Sequence, residues 1–354
     1  MIPFIRPEMP PVWSYLPDLI KVHLSGQYSN GGQMIRKLES QLAKVVVANE
    51  VVCVSNATVG LEVAIKATIG RGNGTKQIAV PAYTFPATVN AIVNCGYKPY
   101  YLDIHYGPNV SEEINLLADF SKVRNERPKD VVAFMPVASF GKRIPLSYLK
   151  SAREVFGKII VDAAPGIIAN SFLNMFSDAV VYSLHATKSV PCGEGGFISF
   201  NDRDYARNAR LLINFGLENG SPKISAESGG TNGKMSEISA CIALASLRRL
   251  PSIVEKKLNL LSRVKTLDYS DGWRLQYTSE LAHLMLARVE NSHKTLTKMK
   301  EMGVECKIYY RPLTTMGVPN SWKAFNELIC LPWYSKLTNK EIEQIKEVLT
   351  KSQA

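Results

Sequence analysis

Lys188 and Asp162 are the two residues whose positions along the chain suggest chemistry. Lys188 lies in a turn after the β-rich run 179–184, and a glycine-rich stretch begins at Gly193. Asp162 directly follows another apolar run, 158–161. An amine that forms a Schiff base, with an acid that keeps a pyridine nitrogen protonated, is what pyridoxal chemistry requires. Taken singly, a lysine in a turn is more often solvated and inert, and the aspartate is as often a surface or capping residue.

Two further segments with chemical character follow predicted strands. Ser55-Asn56-Ala57-Thr58 joins a strand to a helix, where small residues and free amides favour an anion such as a phosphate. An ordinary helix cap is the alternative, and it is favoured for this tetrapeptide alone. Phe85, in the next such segment, can stack on a flat heterocycle or serve simple packing. Ser183 adds a hydroxyl at the strand end before Lys188.

Short apolar strands alternate with helices along the first 214 residues. Apolar runs predict strands at 51–54, 77–80, 99–102, 130–137, 158–161, 179–184 and 196–200. Helical patterns predict helices at 17–24, 34–44, 59–69, 87–95, 146–156 and 204–214. This alternation predicts an α/β fold with a mostly parallel sheet covered by helices on both faces. In such sheets ligands bind beyond the carboxyl ends of the strands, where the residues named above fall.

The sequence predicts three parts. Residues 1–30, rich in Pro, Gly and Ser, form an N-terminal arm, and residues 31–240 form the large domain that carries the candidate site. Residues 241–354 form a smaller C-terminal domain with shorter strands and a charged final helix near 339–350.

The composition is that of an ordinary globular protein, with 46% hydrophobic and 21% charged residues, so a large core is possible. The net charge of +11 suits an anionic ligand such as a phosphorylated cofactor or a nucleotide, or is simply a basic soluble surface. Because Lys and Arg are scattered and the six cysteines stand singly, neither nucleic acid nor a metal or disulfide framework is expected. No apolar run approaches the ~20 residues of a membrane helix, and the first residues do not form a signal segment. These features predict a cytoplasmic protein without a membrane partner.

The order of the motifs resembles the DegT/DnrJ/StrS family of nucleotide-sugar aminotransferases. The resemblance implies pyridoxal 5'-phosphate as the cofactor and the aspartate aminotransferase-like fold (PLP fold type I), with a smaller C-terminal α/β domain. Each motif is weak alone, and the ordered set is specific and covers nearly the whole chain. The matching segments are Ile2–Phe4, Ser25–Gly26, Asn30–Gly31, Ser55–Thr58, Pro81–Phe85, Asn90–Ala91, Val161–Ala164, Ser183–Lys188, Gly193–Gly196, Asn232–Glu237, Tyr310–Leu313 and Leu331–Tyr334.

The resemblance implies a role for each site residue. Lys188 is expected to form the Schiff base and then carry the proton between substrate and cofactor, and Asp162 to pair with the pyridine nitrogen. Phe85 is expected to stack on the ring. Related sugar dehydratases carry histidine at the position of Lys188, so lysine favours transamination. The cofactor phosphate is expected to contact Ala57, Thr58 and Ser183 of the same chain and Asn232 of the partner subunit. The active site would then be a property of a homodimer.

The sequence departs from the family pattern in three places. The family commonly has glutamine where this chain has Pro165, and that glutamine helps bind the cofactor 3-hydroxyl. Proline has no side-chain donor, so the contact is absent, made by another residue or made by water. Lys234 stands where the family has arginine, which differs in hydrogen bonding. The segment between Leu250 and Gly303 is short and matches poorly.

The expected reaction has two stages, with glutamate as amino donor and a keto-sugar on a nucleoside diphosphate as acceptor. The His-x-Thr-Lys form of the loop 185–188 resembles members that aminate carbon 4, whereas carbon-3 members more often have Tyr-Pro-Gly-Lys. The expected substrate is therefore dTDP-4-keto-6-deoxyglucose and the product dTDP-4-amino-4,6-dideoxyglucose, for the O-antigen of lipopolysaccharide or another surface glycan. Candidate substrate contacts are Lys234, Tyr309 and Arg311, each of which is more often a surface or packing residue.

Two alternatives stay open from the sequence. One is amination at carbon 3, or of a keto-cyclitol. The other is a non-catalytic binding or regulatory protein of the same fold, which the change at Pro165 would mark. The presence of both Lys188 and Asp162 favours an enzyme, because a protein without catalysis has no chemical need for either.

Overall fold

The computed structural model describes residues 1–107, 114–126, 128–167, 171–217, 229–265, 273–276 and 284–353. Seven strands within residues 50–200 build the central sheet. They are β1 (Glu50–Val54), β2 (Gln77–Pro81), β3 (Lys98–Leu102), β4 (Val131–Phe134), β5 (Ile160–Asp162), β6 (Ala179–Ser183) and β7 (Gly196–Phe200).

The spatial order of these strands is β1-β7-β6-β5-β4-β2-β3. Hydrogen-bonded ladders form two sets of strands, one in the order β1-β7-β6-β5 and the other in the order β3-β2-β4. Parallel bridges from Phe134 to Ile159 and from Val137 to Asp162 connect the two halves. Within this sheet only β7 runs against the others. The prediction of a mostly parallel sheet is confirmed, and six strands end at one common edge.

The predicted strand 130–137 is too long. The ladder of β4 stops at Phe134, and Pro136 follows two residues later. Because proline has no amide hydrogen to donate, it interrupts a central ladder. The chain nevertheless stays beside β5, since the amide of Asp162 donates to the carbonyl of Pro136 at 2.9 Å.

Helices cover both faces of the sheet. The first 213 residues contain α1 (Leu16–Ser25), α2 (Gln33–Val46), α3 (Ala57–Ile69), α4 (Pro86–Asn94), α5 (Ser121–Glu126), α6 (Leu146–Phe156) and α7 (Arg203–Ile213). Apolar side chains of α2 and α6 form one core with one sheet face, and those of α3, α4 and α7 form another core with the opposite face. The apolar strands that the sequence shows are therefore buried from both sides.

Two glycines allow close approach beside the candidate site. A Cβ on Gly60, in α3, would lie 3.0 Å from a methyl group of Val181, so the helix packs directly on β6. A Cβ on Gly196, at the start of β7, would lie 2.8 Å from the amide nitrogen of Ala57. The absence of a side chain at Gly196 leaves β7 space beside the turn that begins α3.

The C-terminal part has its own antiparallel sheet in the order β10-β9-β8. Its core is separate from the two cores of the large sheet. The elements are α8 (Glu237–Lys265), β8 (Trp273–Gln276), β9 (Met285–Val289), α9 (Ser292–Glu301), α10 (Pro319–Glu327), β10 (Leu328–Leu331) and α11 (Asn339–Gln353). The sequence predicts a domain boundary between residues 240 and 241. α8 runs through both residues without a break, and the boundary stays a prediction.

The first residues of the chain lie on this C-terminal part. The amide of Ile2 donates to the carbonyl of Gly303 at 2.8 Å, and the amide of Ser335 donates to the Glu8 carboxylate at 2.8 Å. These bonds hold the first residues on the C-terminal part, and the division into an arm of residues 1–30 stays a prediction. Of the helices in the described ranges, none combines the length and apolar composition that crossing a bilayer requires.

Arg288 on β9 is fully buried and connects the C-terminal sheet to the rest of the molecule. Its guanidinium donates to the Glu327 carboxylate at 2.8 Å and to the carbonyl of Gly107 at 2.7 Å. It also lies over the ring of Tyr106, with 4.3 Å between the guanidinium carbon and the ring centroid. The burial of this charge makes its counter-ion important for stability.

We expect Glu327→Ala to lower the free energy of unfolding by about 3–5 kcal/mol, because it leaves a buried guanidinium without its carboxylate. Urea unfolding followed by tryptophan fluorescence measures the loss. The matched control is Glu347→Ala, which removes the exposed carboxylate paired with Lys351 and should cost less than about 1 kcal/mol. Equal losses for the two variants would contradict the role given to the buried pair.

Candidate active site

A cavity of about 430 Å³ opens at the edge of the sheet where the parallel strands end. Its volume is within the range of small-molecule sites. Seven of the residues that the sequence singled out line this cavity: Ala57, Thr58, Phe85, Asp162, Ser183, Lys188 and Tyr309. The structure therefore brings together side chains that are up to 252 positions apart in the chain, from Ala57 to Tyr309.

Asp162 ends β5 and is only 5% exposed. The Thr88 hydroxyl donates to its Oδ2 at 2.8 Å, and the Ala164 amide donates to its Oδ1 at 3.0 Å. Burial raises the pKa of the Asp162 carboxyl above its ordinary value, while the two donors and the nearby Lys188 amine act in the opposite direction. A cationic ring nitrogen is the kind of partner that would stabilise this carboxylate further.

Lys188 lies in the loop between β6 and β7, where its amide donates to the carbonyl of His185 at 2.8 Å. Across the described ranges its side-chain amine has neither a hydrogen bond nor an ion pair. Burial lowers the pKa of this amine to about 8, and the Asp162 carboxylate partly offsets the shift. An amine with this pKa is substantially neutral at mildly alkaline pH, which is the form that attacks an aldehyde.

The N-terminus of α3 forms one end of the cavity. The Asn56 side chain caps this helix by accepting from the amide of Val59 at 2.9 Å. Ala57 and Thr58 precede Val59 in the first turn and line the cavity, and the first amides of a helix have no partner within it. Ser183 lines the cavity from the end of β6. Such an end favours an anion the size of a phosphate.

Phe85 forms an aromatic wall of the cavity and is 57% exposed. It immediately precedes α4, which begins at Pro86. Its ring lies 6.2 Å from that of Tyr310, centroid to centroid, in an edge-on arrangement. A large apolar ring that is left this exposed beside polar groups is available to stack on a flat ligand.

Three of the predicted residues do not line the cavity of their own chain. Asn232 pairs with Asn214 through an isolated bridge, and Lys234 pairs in the same way with Val54 at the end of β1. The Lys234 ammonium lies 4.4 Å from the centroid of the Phe215 ring. Arg311 is exposed. Their roles toward cofactor or substrate stay predictions.

The sequence reasoning missed Thr88 and Tyr310. Thr88 lies within α4, where a hydroxyl reads as an ordinary helical residue. The only signal was Thr84 one turn earlier, whose hydroxyl lies 2.9 Å from that of Thr88. Tyr310 lies beside Tyr309 in the C-terminal part, and nothing in its local sequence shows which of the two faces Asp162.

Four features of the cavity suit pyridoxal phosphate. It offers an anion site at a helix N-terminus, an aromatic wall, a buried carboxylate and an unpaired amine. The described ranges contain no cluster of three or more His, Cys, Asp or Glu side chains that could hold a metal ion. A mostly parallel sheet with these groups at its carboxyl edge is the arrangement of the aspartate aminotransferase-like enzymes.

Comparison with known proteins agrees with this class. The chain matches the DegT/DnrJ/EryC1/StrS aminotransferase family over residues 15–350 and belongs to that family. The Mycobacterium bovis protein Mb3436c is 27% identical over 332 residues, covering 88% of this chain and 77% of that one. The dTDP-4-amino-4,6-dideoxy-D-glucose transaminase of Shigella dysenteriae is 24% identical over 365 residues, covering 96% of each chain.

A solved structure from Bacillus cereus, assigned as a PLP-dependent aminotransferase, superposes with a TM-score of 0.84. Its sequence is 25% identical, and the match covers 99% of each chain. Enzymes of this family use pyridoxal phosphate. The predicted family, the fold, the aminotransferase class and the cofactor are therefore confirmed.

We expect the reactivity of Lys188 in the cofactor-free protein to rise with pH to a midpoint near 8, because burial lowers the pKa of its amine to about 8 and only the neutral amine attacks. Competitive acetylation, read for each lysine by mass spectrometry, measures this midpoint. Exposed lysines, with an ordinary pKa of about 10.4, should continue to gain reactivity well above it. A midpoint for Lys188 equal to theirs would contradict its burial in the cavity.

Proposed function

We propose that this enzyme transfers the amino group of glutamate to a keto-sugar carried on a nucleoside diphosphate. The observation that carries the proposal is the unpaired Lys188 amine, which faces the same cavity as the buried Asp162 carboxylate. The 24% identity to a nucleotide-sugar transaminase over nearly the full length supports a substrate of this class. The net charge of +11 is compatible with a diphosphate ligand.

Each cavity residue has a distinct task toward the cofactor. The cofactor supplies an aldehyde that carries the amino group and a ring that accepts electrons. Asp162, held by Thr88, keeps the ring nitrogen protonated. Phe85 stacks on one ring face. The phosphate-binding groups are the first amides of α3, at Ala57 and Thr58, and the Ser183 hydroxyl.

Lys188 is the proton carrier in both halves of the reaction. With the cofactor bound, its neutral Nζ would take the proton from the amine-bearing carbon of glutamate, hold it as an ammonium group and release it on the cofactor side. The reverse sequence places a proton on the sugar carbon that receives the nitrogen. A pKa of about 8 suits this task, because the amine can both accept and release a proton near neutral pH.

The position of amination that we favour is carbon 4 of dTDP-4-keto-6-deoxyglucose, which gives dTDP-4-amino-4,6-dideoxyglucose. The basis is the form of the loop His185-Ala186-Thr187-Lys188, three of whose residues line the cavity: His185, Thr187 and Lys188. Tyr309 is a candidate contact for the sugar, and Lys234 and Arg311 are candidates for the diphosphate. An amino sugar of this kind would serve O-antigen or another surface glycan, and we place its synthesis in the cytoplasm.

We further propose a homodimer whose active sites are shared. Asn232 lies outside the cavity of its own chain, so it is free to serve the cofactor phosphate of the partner subunit. A row of exposed apolar side chains on and before α1 offers a surface for a second copy to cover. This row consists of Trp13, Leu16, Ile20 and Leu24.

Purified enzyme should be yellow, should lose its visible band with glutamate and should aminate the 4-keto nucleotide sugar faster than a 3-keto sugar or a keto-cyclitol.

We expect Lys188→Ala to lower kcat/KM by about 10³-fold or more, because no other neutral amine replaces its proton transfer. Product analysis by mass spectrometry and NMR measures both. Lys44→Ala, which removes an exposed lysine, is the control. A colourless protein would favour a non-catalytic role, and full turnover by Lys188→Ala would refute the role given to Lys188.

Mixed dimers test whether the sites are shared. In a mixed dimer of Lys188→Ala with Asn232→Ala, both substitutions fall in one site under this proposal and the other site is intact, so the purified mixed dimer should have about half the activity of the unmodified dimer. Lys188→Ala mixed with Asp162→Ala should restore none, because both residues line the cavity of one chain. Equal results for the two mixtures, measured as specific activity after tandem-tag purification, would contradict the shared site.

A further inference from the structure

The wall of the cavity at Pro165 has no side-chain donor. Pro165 lies three residues after Asp162 and lines the cavity. In the family this position commonly holds a glutamine that binds the 3-hydroxyl of the cofactor ring. The ring oxygen carries negative charge when the ring is bound as an imine, so an absent donor would leave that charge without stabilisation.

Most other polar side chains of the cavity are already engaged. The Thr84 hydroxyl lies 2.9 Å from that of Thr88, which donates onward to Asp162. Nδ1 of His185 lies 2.9 Å from the Thr187 hydroxyl. Ser139 has a buried hydroxyl without a partner among the described residues, but it is not part of the cavity lining.

Tyr310 is the hydroxyl-bearing side chain that the structure places beside both the acid and the aromatic wall. Its ring meets Phe85 edge-on at 6.2 Å and stacks on Phe140 at 5.0 Å with an interplanar angle of 14°. The Asp162 carboxylate is close enough to act electrostatically on its hydroxyl. Within the described part of the chain this hydroxyl makes no hydrogen bond, although Tyr310 lines the cavity.

The Tyr310 hydroxyl is held in its protonated, donating form. Burial raises the pKa of this phenol, and Cys330, Asp162 and Tyr309 act in the same direction. A neutral phenol can donate one hydrogen bond to an anionic oxygen.

The segment that carries Tyr310 is fixed to the large sheet. The Tyr83 hydroxyl donates to the carbonyl of Tyr309, and the Leu313 amide donates to the carbonyl of Ala82 at 3.1 Å. The Tyr83 hydroxyl and the Ala82 carbonyl both belong to the turn between β2 and α4, and this turn also carries Phe85. The two rings are therefore positioned by one shared piece of backbone.

We propose that Tyr310 donates its hydroxyl hydrogen to the 3-oxygen of the cofactor ring and so replaces the donor that Pro165 lacks. This inference rests on the proposed function, since it needs the cofactor in this cavity. It makes the C-terminal part of the chain a direct participant in cofactor binding. Tyr310 is then a cofactor-binding residue in addition to those that the family resemblance implies.

The test is the pH at which the visible absorption band of the bound cofactor changes. A donor to the ring oxygen stabilises its anionic form and lowers this spectroscopic pKa, so Tyr310→Phe should raise it by about one to two units. Pro165→Gln in the Tyr310→Phe background should bring it back toward the value of the unmodified enzyme. Tyr205→Phe, which removes a hydroxyl outside the cavity lining, should leave it unchanged.

Cofactor affinity gives a second readout that does not depend on turnover. Titration of the cofactor-free proteins, followed by quenching of tryptophan fluorescence, should show about tenfold weaker binding for Tyr310→Phe. Circular dichroism and thermal unfolding establish that the variant is folded. If Tyr310→Phe keeps both the spectroscopic pKa and the affinity of the unmodified enzyme, the inference is wrong. If the unmodified enzyme does not bind the cofactor at all, the proposed function itself fails.

Discussion

The placement of Asp162 is the constraint on which the site depends. A carboxylate that is removed from water costs free energy unless donors surround it. Here a hydroxyl from α4 and the amide of Ala164 supply two of them, and the Lys188 amine adds a positive charge. Burial also lowers the pKa of the Lys188 amine, which favours its neutral form. Burial beside one cavity therefore moves the pKa of the acid upward and the pKa of the amine downward.

The sheet determines which residues share that cavity. Because parallel strands present their carboxyl ends at one edge, β2, β5 and β6 deliver Phe85, Asp162 and Ser183 to one region without sequence proximity. The reversed strand β7 brings the Lys188 loop back to the same edge. Gly196 lets this strand lie against the start of α3, so the anion-binding amides sit next to the loop.

The fold and the centre of the site could be predicted from the sequence, because their signals are local. Apolar runs mark the strands, and Lys188 and Asp162 stand directly after two of them. Thr88 could not be predicted, since its role depends on which face of α4 meets β5. Tyr310 comes from a segment 148 positions beyond Asp162, and only packing shows that it enters the cavity. The roles of Asn232 and Lys234 stay predictions, because both residues lie outside the cavity lining of their own chain.

The docking of residues 309–313 onto the turn at Ala82 and Tyr83 has a thermodynamic consequence. A ligand that binds between two docked parts of a molecule stabilises their docking. By reciprocity, docking of the two parts strengthens the binding of the ligand. Saturation with cofactor should therefore slow backbone amide exchange throughout the C-terminal sheet, far from any atom of the ring. The cofactor would add one more link between the large sheet and the C-terminal sheet, which already share an apolar cluster that includes Tyr83, Phe140, Leu286 and Leu328.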